Sequence, residues 1–416
     1  MPQLLSSGNT LFVVYLCFAC LSVLVLVLVK LASRITRGST EQPQRAWIVI
    51  DLGLLKHNVN IIRSLVDNEC KLMPAIKGNA YGLGMVPIAK ALWRFGVHDF
   101  CVASLSEGIE LRKSGIRGNI LILGYTNPDN WALLKKYRLT QTLVDYEYGM
   151  SLAACSTGLS VHIKVDTGMH RLGECVDQTD RICDLLSCNR FAVKGIFTQL
   201  SNSDSNELMG IYQNRNQLAR FEEMLSRIQS QGIAIPETHT QNSYGIINYP
   251  QKSVALARPG LAIYGVIDQK LCINNQPDLR PIFEVRARVA LTKHIATGEC
   301  VGYGDGYVAT EDLTIAVVTI GYADGFPRNL SNGRGGVLVR GGYAPVVGFV
   351  CMDQTTVDVS RIPGVVAGDI ATIIGNDSDK SITISQIADM SNTISNEIMS
   401  RLGERLERRY VEADSQ

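Results

Sequence analysis

The chain has 416 residues, with 40 lysines and arginines against 39 aspartates and glutamates. This length suffices for two domains and an additional segment, and the near-balance of charge gives no electrostatic case for binding nucleic acid. The six histidines are scattered without paired metal-ligand spacing, so we expect no structural metal. The eleven cysteines form no regular framework, which is more typical of reduced thiols in a cytosolic domain than of a disulfide scaffold.

The first strong feature along the chain is an uncharged run of nineteen mostly apolar residues, 11–29, which is long enough to cross a bilayer as a helix. Lys30, Arg34 and Arg37 follow it and no basic residue precedes it, so the N-terminus is predicted outside and the large C-terminal part in the cytoplasm. A cleaved signal peptide is the alternative, but no basic n-region precedes the run and no Ala-x-Ala site ends it. We therefore predict a single-pass anchor in the cell membrane and a polar linker within residues 1–45.

Between residues 47 and 283, short apolar runs alternate with longer amphipathic stretches. Eight runs predict strands at residues 72–76, 100–103, 120–123, 140–144, 161–165, 193–197, 238–242 and 254–257. Eight strands that alternate with helices over roughly two hundred residues are typical of a (β/α)8 barrel, which we place at residues 46–283. A doubly wound open sheet is the alternative, but no Gly-x-Gly-x-x-Gly sequence follows an early strand, which disfavours a dinucleotide-binding fold.

Beyond residue 281 the sequence changes to short runs rich in valine, isoleucine and threonine, punctuated by glycines. This pattern predicts a mainly-β C-terminal domain at residues 284–416, so that the fold class is α/β with an added β-rich domain. Strands are predicted at residues 283–291, 313–320, 336–339, 344–349, 355–359 and 370–374, and one helix at residues 385–402.

The most informative stretch is residues 74–84, which read PAIKGNAYGLG in one-letter code. Lys77 ends an apolar run and is followed by glycines, so it is predicted at the mouth of the barrel. A partly desolvated lysine there loses some preference for the charged form, and a neutral amine can attack the aldehyde of pyridoxal 5'-phosphate (PLP). Most lysines at strand ends are merely solvated, so the position alone is weak support.

Other polar residues follow the predicted strands in the same way: Lys164, Gln199, Ser243 and Arg258 each stand at a strand's carboxyl end. Because these ends meet on one rim of a barrel, the set is suited to bind a phosphate and a pyridine ring. Each residue also has an ordinary explanation, since Arg258 is compatible with a surface cation and Ser243 with a helix cap.

Residues 74–84 resemble the PLP-lysine motif of alanine racemases, and the resemblance extends from about residue 47 to residue 408. It continues through IKVDTGMHRLG (163–173), NS (242–243), RPGLAIYG (258–265), GYG (302–304), IGYADG (320–325) and GFVCMDQ (348–354). The resemblance implies a PLP-binding barrel followed by a β domain. It also implies an amino-acid racemase that supplies D-alanine for peptidoglycan.

The resemblance assigns the two acid/base groups that a racemase needs on opposite faces of the substrate α-carbon. Lys77 would hold PLP covalently and act as one base once freed, and Tyr303 would act as the other. In the family this tyrosine reaches the site of the partner subunit, which implies a homodimer with shared active sites. A tyrosine needs nearby positive charge to serve as a base near neutral pH.

The resemblance also assigns the cofactor contacts. Tyr81, Ser243 and the backbone N–H groups of Gly260 and Leu261 would hold the phosphate, since glycine permits close backbone approach. Arg258 would hydrogen-bond the pyridine nitrogen and, because it keeps its proton, leave that nitrogen unprotonated.

On the substrate side, the resemblance implies that Arg171 contacts the substrate carboxylate and Tyr303, while Met352 supplies a backbone group and Asp353 a carboxylate. Lys164, which many relatives carry as a carbamate, would position Arg171. Tyr322 would narrow the entrance.

Two positions depart from the family pattern. Gln199 stands where the family commonly has a histidine that relays a hydrogen bond to the pyridine-binding arginine, and a glutamine cannot share a proton. Glu404 stands near the position where some relatives place a tyrosine against the phosphate, and loss of that ring would make room for a polar substrate side chain.

The substrate is predicted to be alanine, with serine as a second or co-substrate. A membrane segment joined to a racemase domain is similar to the VanT-type serine/alanine racemases of vancomycin resistance, so chiefly serine racemisation is one alternative. A non-catalytic, membrane-bound PLP or amino-acid sensor is another, and an amino-acid decarboxylase is a third.

Overall fold

A computed structural model describes residues 43–251, 254–273, 276–304 and 306–412. Chain contacts group the residues from Arg45 onward into one compact unit. Within the described part of the chain, no helix combines the length and the apolar character needed to cross a membrane. The predicted anchor at residues 11–29 lies outside the described residues, so its presence and orientation stay predictions.

The first part of the chain alternates short strands with helices, as its apolar pattern predicts. Its strands are β1 Ala46–Asp51, β2 Lys71–Leu72, β3 Phe100–Val102, β4 Ile120–Ile122, β5 Thr140–Leu143, β6 Leu159–Asp166, β7 Glu174–Cys175, β8 Phe191–Phe197, β9 Glu237–His239 and β10 Leu256–Ala257. Its helices are α1 Leu52–Ser64, α2 Lys77–Tyr81, α3 Met85–Arg94, α4 Leu105–Lys113, α5 Trp131–Lys136, α6 Tyr146–Cys155, α7 Thr179–Ser187, α8 Leu208–Ser230 and α9 Ser243–Asn248.

Six of these strands form a continuous parallel half-barrel in the order β3-β4-β5-β6-β8-β9, and β10 pairs separately with β2. Backbone hydrogen bonds from Cys101 N to Pro74 O (2.9 Å) and from Ala255 N to Thr238 O (3.0 Å) link the two sheets. The predicted strands thus occur in the order expected of a barrel. The prediction of one continuous eight-stranded sheet is wrong, however, because the continuous parallel pairing covers a half-barrel only. Pro74 and Pro259 follow β2 and β10 and lack the N–H that would extend those ladders.

The C-terminal part is mainly β, as predicted. Its strands are β11 Phe283–Ile295, β12 Leu313–Val318, β13 Gly336–Val339, β14 Gly342–Pro345, β15 Thr355–Asp358, β16 Ile370–Asp377, β17 Lys380–Ile382 and β18 Glu407–Val411, with helices α10 Ile384–Met390 and α11 Ser395–Ser400. The main path of their sheet runs β14-β13-β16-β11-β1-β18.

Strand β1 belongs to this second sheet although it precedes the half-barrel in sequence. It pairs antiparallel with β11 and parallel with β18, and its Ile48 and Ile50 side chains are fully buried. Neither β1 nor β18 was predicted, because each is short and gains its partners only through pairing with distant segments.

The prediction of one continuous helix at residues 385–402 is wrong, because two separate helices, α10 and α11, occupy this region. Asn392 lies between them with φ at 54°, a left-handed conformation that does not continue an α-helix. The break lets α11 pack on α2: a Cβ at Gly82 would lie 2.2 Å from the Met399 carbonyl oxygen, so only glycine permits this approach.

Candidate active site

Lys77 begins α2 just after β2, at the carboxyl end of the half-barrel where the sequence places it. Gly78, Asn79, Ala80 and Tyr81 all have positive φ, at 62°, 55°, 54° and 53°, so they form a left-handed turn. Non-glycine residues rarely adopt this region, and such strain concentrates at functional sites because the surrounding structure must maintain it.

Contacts from several elements hold this turn. Gly78 N donates to Glu107 Oε1 (2.7 Å), and Met85 N donates to Asn79 Oδ1 (2.8 Å). From β18, Arg408 Nε donates to Gly82 O (2.8 Å) and the Tyr410 hydroxyl donates to Leu83 O (2.8 Å). The β-rich sheet therefore helps to fix the lysine turn within the same chain.

The lysine opens onto a cavity of about 470 Å³ at the carboxyl end of the half-barrel. Burial, together with the positive charge of Arg171, lowers the pKa of the Lys77 amine from its ordinary value. The predicted residues that line the cavity with it are Tyr81, Lys164, Arg171, Gln199, Ser243, Arg258, Gly260 and Leu261.

Arg258 is buried at one wall of the cavity, where its guanidinium lies 5.0 Å from the centre of the Phe197 ring. Its nitrogens donate to His239 O (2.9 Å), Thr198 O (2.8 Å) and Gln199 Oε1 (3.2 Å). Burial lowers the pKa of Arg258 only to about 10, so the guanidinium stays charged near neutral pH.

Two buried histidines, His162 and His239, lie behind Arg258, and the sequence analysis did not identify them. Arg258 also donates to His239 Nδ1, so that the neutral His239 ring carries its proton on Nε2 and donates it to His162 Nδ1 (2.8 Å). Burial and the Arg258 charge lower the pKa of His162 to about 3 and that of His239 well below its ordinary value. The position of His162 between Val161 and Ile163 was an available signal, whereas β9 is polar throughout and nothing in its sequence singles out His239.

A cradle of hydroxyl and amide groups faces Lys77. Ser243 Oγ accepts hydrogen bonds from Gly260 N (2.8 Å) and Ala262 N (3.2 Å). A Cβ at Gly260 would lie 2.7 Å from the Tyr81 hydroxyl, so the glycine leaves room for it. Burial raises the pKa of Tyr81 to about 12, which keeps this hydroxyl a donor. These groups fit a phosphate, the Lys77 amine fits an aldehyde and Arg258 fits a ring nitrogen, so the site fits PLP.

Lys164 lies buried at the end of β6, where its Nζ donates to Val165 O at 3.2 Å. Burial, with the neighbouring charges of Arg258 and Arg171, lowers its pKa to about 7. A half-neutral amine at this position has the nucleophilicity that carbamate formation with carbon dioxide requires.

Replacing Lys164 with methionine is expected to stabilise the fold in a pH-dependent way. Between pH 7 and about 10.5 the unfolded chain holds a proton on this lysine that the folded chain has released, so wild-type stability rises with pH. The gain from Lys164→Met should therefore be largest at or below pH 7, at about 2 kcal/mol, and shrink towards pH 10. Urea unfolding in carbon-dioxide-free buffer at pH 7 and pH 9.5 measures it, with Lys113→Met on the exposed face of α4 as the control. An equal gain at both pH values would contradict the buried-amine explanation.

Gln199 receives a hydrogen bond from Arg258, but its amide cannot exchange a proton. We expect Gln199→His to raise kcat by about two- to tenfold or to move its pH profile, because an imidazole titrates near neutral pH. The pH dependence of kcat and kcat/KM is the measurement. Gln213→His, on α8 and outside this cavity, should change neither quantity. An unchanged rate and pH profile in Gln199→His would show that this departure has no catalytic consequence.

Four predicted residues are not at this cavity in the same chain: Tyr303, Tyr322, Met352 and Asp353. Tyr303 is 74% exposed in the β domain. The other three lie together on that domain, where Tyr322 N donates to Cys351 O (3.0 Å) and Ala323 N donates to Met352 O (3.0 Å). One chain alone therefore does not join them to Lys77.

Asn396 of α11 lines the cavity, whereas Glu404 does not. The predicted place of Glu404 at the site is thus not seen, and the carboxamide of Asn396 lines the cavity instead. Sequence reasoning missed it because the break between α10 and α11 changes which residue faces α2.

A parallel half-barrel with a strained lysine turn, a phosphate cradle and a buried arginine, joined to a mainly-β sheet, defines a PLP-binding barrel protein. The alanine racemase N-terminal domain pattern matches residues 50–268, and the alanine racemase C-terminal domain pattern matches residues 282–410. The chain belongs to the alanine racemase family, which is PLP-dependent.

Individual relatives agree with this assignment. The chain is 39% identical over 411 residues to an amino-acid racemase of Enterococcus faecalis, and the matched region covers 98% of this chain and 57% of that protein. It is 33% identical over 356 residues to a serine/alanine racemase of Enterococcus gallinarum, covering 85% of this chain and 50% of that protein. The structure of alanine racemase from Clostridium difficile 630 is similar with a TM-score of 0.83 and 30% identity, covering 90% of this chain and 98% of that one. The chain thus spans about half the length of both Enterococcus proteins.

Proposed function

We propose that this protein is an amino-acid racemase that interconverts L- and D-alanine and supplies the D-isomer for peptidoglycan. The observation that carries the proposal is the half-buried Lys77 amine, with a lowered pKa, in one cavity with Arg258 and the phosphate cradle. A neutral amine at this point is suited both to hold an aldehyde cofactor and to move a proton at the substrate α-carbon.

PLP, when bound, supplies an electron sink for the negative charge that develops at the α-carbon. Tyr81, Ser243, Gly260 and Leu261 would hold its phosphate. Arg258 would contact the ring nitrogen and, because it keeps its own proton, would limit how far the ring withdraws charge. Limited withdrawal favours return of the proton to the α-carbon over its transfer elsewhere.

Racemisation requires a second base on the opposite face of the α-carbon, and we assign this role to Tyr303 of a partner subunit. The exposure of Tyr303 and its place outside the cavity of its own chain support a homodimer with shared sites. Met352, Asp353 and Tyr322 would reach the same partner site, since they lie on the same domain. Arg171, which lines the cavity of the first subunit, would bind the substrate carboxylate there.

Serine is the second candidate substrate, and the polar lining of the cavity favours it. Asn396, Ser201 and Ser203 line the cavity, and each offers hydrogen-bonding groups that a substrate hydroxyl would pair with. The similarity to a serine/alanine racemase supports the same proposal.

Product analysis tests these proposals. The full chain, purified in detergent and loaded with PLP, is incubated separately with L-alanine and L-serine, and products are resolved by chiral chromatography. Formation of the D-isomers supports a racemase, and the ratio of the two rates decides the preferred substrate. An amine product would instead identify a decarboxylase, and binding without turnover would identify a sensor.

We also propose that residues 11–29 anchor the protein in the cell membrane with the catalytic part in the cytoplasm. The uncharged apolar run supports the anchor, and the basic residues after it support the orientation. Cell fractionation tests the proposal, because recovery of the full chain in the soluble fraction without detergent would contradict it.

A further inference from the structure

We propose that Arg45 is a positioning residue for substrate binding, which holds the loop at residues 351–354 through Asp324 and Asp353. The proposal rests on the proposed racemase function, in which this loop presents Met352 and Asp353 to the substrate. Arg45 belongs to the predicted polar linker, and neither the motifs nor the cavity single it out.

The first link is the carboxylate of Asp324, which is fully buried. Arg45 donates two parallel hydrogen bonds to it, from NH1 to Oδ1 (2.8 Å) and from NH2 to Oδ2 (2.7 Å). Arg405 donates to Oδ1 from Nε (3.1 Å), and Gly321 N donates to Oδ2 (2.9 Å). Burial alone would raise the pKa of this carboxyl, but these donors outweigh it and hold the pKa below its ordinary value.

The second link is Asp353, which both arginines also contact. Arg45 NH2 donates to the backbone carbonyl of Asp353 (2.6 Å), and Arg405 NH1 donates to its Oδ1 (2.7 Å). Two guanidinium groups thus meet two carboxylates, so their charges balance. Arg45 holds the backbone of residue 353 while Arg405 holds its side chain.

The third link is direct packing between the loop and the turn that ends at Asp324. Tyr322 N and Ala323 N donate to the carbonyls of Cys351 and Met352, both at 3.0 Å. A Cβ at Gly321 would lie 2.3 Å from the Cys351 carbonyl oxygen and 2.4 Å from that of Met352. The backbones of turn and loop are therefore in contact, and a shift of Asp324 would displace the loop.

Removal of Arg45 should loosen the loop without unfolding the domain. Asp324 would keep Arg405 and Gly321 as donors, so its buried charge would remain compensated. The carbonyl of Asp353 would lose its charged donor, and Met352, which is 52% exposed, has room to move. The consequence falls on substrate affinity and not on the proton-transfer groups.

Kinetics on the full PLP-loaded chain test the proposal. Arg45→Gln is expected to raise KM for L-alanine about tenfold while kcat stays within about threefold, because uniform binding is lost. Arg45→Lys should fall between this variant and the wild type, since a lysine cannot make the paired contact. Arg227→Gln breaks an exposed ion pair with Glu223 on α8 and should leave both constants unchanged.

Hydrogen exchange provides a second measurement that does not need turnover. The amides of residues 351–354 should exchange at least about tenfold faster in Arg45→Gln than in Arg227→Gln, while strands β11 and β16 keep their protection. Unchanged exchange of the loop, or an unchanged KM in an active enzyme, would overturn the proposal. A fall in kcat with unchanged KM would also overturn it, because Arg45 would then not act through binding. Absence of racemisation in the wild type would refute the proposed function, while the exchange result would still decide whether Arg45 holds the loop.

Discussion

Lys77→Ala is expected to lower the rate of α-proton exchange by about 10⁴-fold or more, the largest effect of any single substitution in this chain. The variant loses the covalent anchor of the cofactor and one of the two bases at once. Lys77 is the amine that the left-handed turn directs into the cavity, and burial and Arg171 lower its pKa. Lys164 also lines the cavity with a lowered pKa, but it lies at the end of β6 beside Arg258 and not at the left-handed turn.

Exchange of the α-proton in deuterated water measures this loss for both L-alanine and D-alanine. Lys71→Ala is the matched control, because Lys71 lies on the preceding strand and makes an exposed ion pair with Glu237 at 3.1 Å. Borohydride treatment followed by peptide mass analysis should place the cofactor on Lys77 in the wild type. A normal exchange rate in Lys77→Ala, or attachment of the cofactor to a different lysine, would refute the assignment.

Tyr303→Phe is expected to reduce racemisation by about 10²- to 10⁴-fold, because only the phenolic oxygen is removed. The more discriminating result comes from mixing this variant with Lys77→Ala. Each mixed dimer would contain one site with Lys77 from one subunit and Tyr303 from the other, and one site that lacks both. Random exchange of subunits should therefore restore about a quarter of the wild-type activity.

The recovery depends on shared sites, so it separates them from sites within one chain. If each site were built from a single chain, the mixture would stay inactive, because every site would lack either Lys77 or Tyr303. Tyr212→Phe, at an exposed tyrosine on α8, is the control for loss of a phenolic oxygen. Full activity of Tyr303→Phe alone would remove Tyr303 from the mechanism.

Local patterns in the sequence were sufficient for several results. The run that ends at Lys77 predicted the strand, the turn and the amine at the barrel mouth, because these depend on neighbouring residues. The composition change after residue 281 predicted the β-rich part, where β11 begins at Phe283. The ordered motifs indicated the family and most of the residues that line the cavity.

Other results depended on contacts between segments that are far apart in the chain. In the sequence His162 and His239 are unrelated strand residues, and only the structure shows that Arg258 contacts His239, which in turn contacts His162. Asn396 reaches the cavity because Asn392 breaks the helix before it, and the Arg45–Asp324 contact joins residues 279 positions apart. A pattern along the chain carries no information about such pairs.

The sequence by itself therefore determined the local features: the lysine after the first predicted strand, the strand-end residues of the rim and the division into an α/β part and a β-rich part. Only the tertiary structure decided that β1 pairs with β11 and β18, and that Tyr303 lies outside the cavity of its own chain. The physical reason is the range of the forces involved. Turn geometry and strand periodicity act between neighbours, whereas burial, ion pairing and sheet register are set by whichever distant segments pack together.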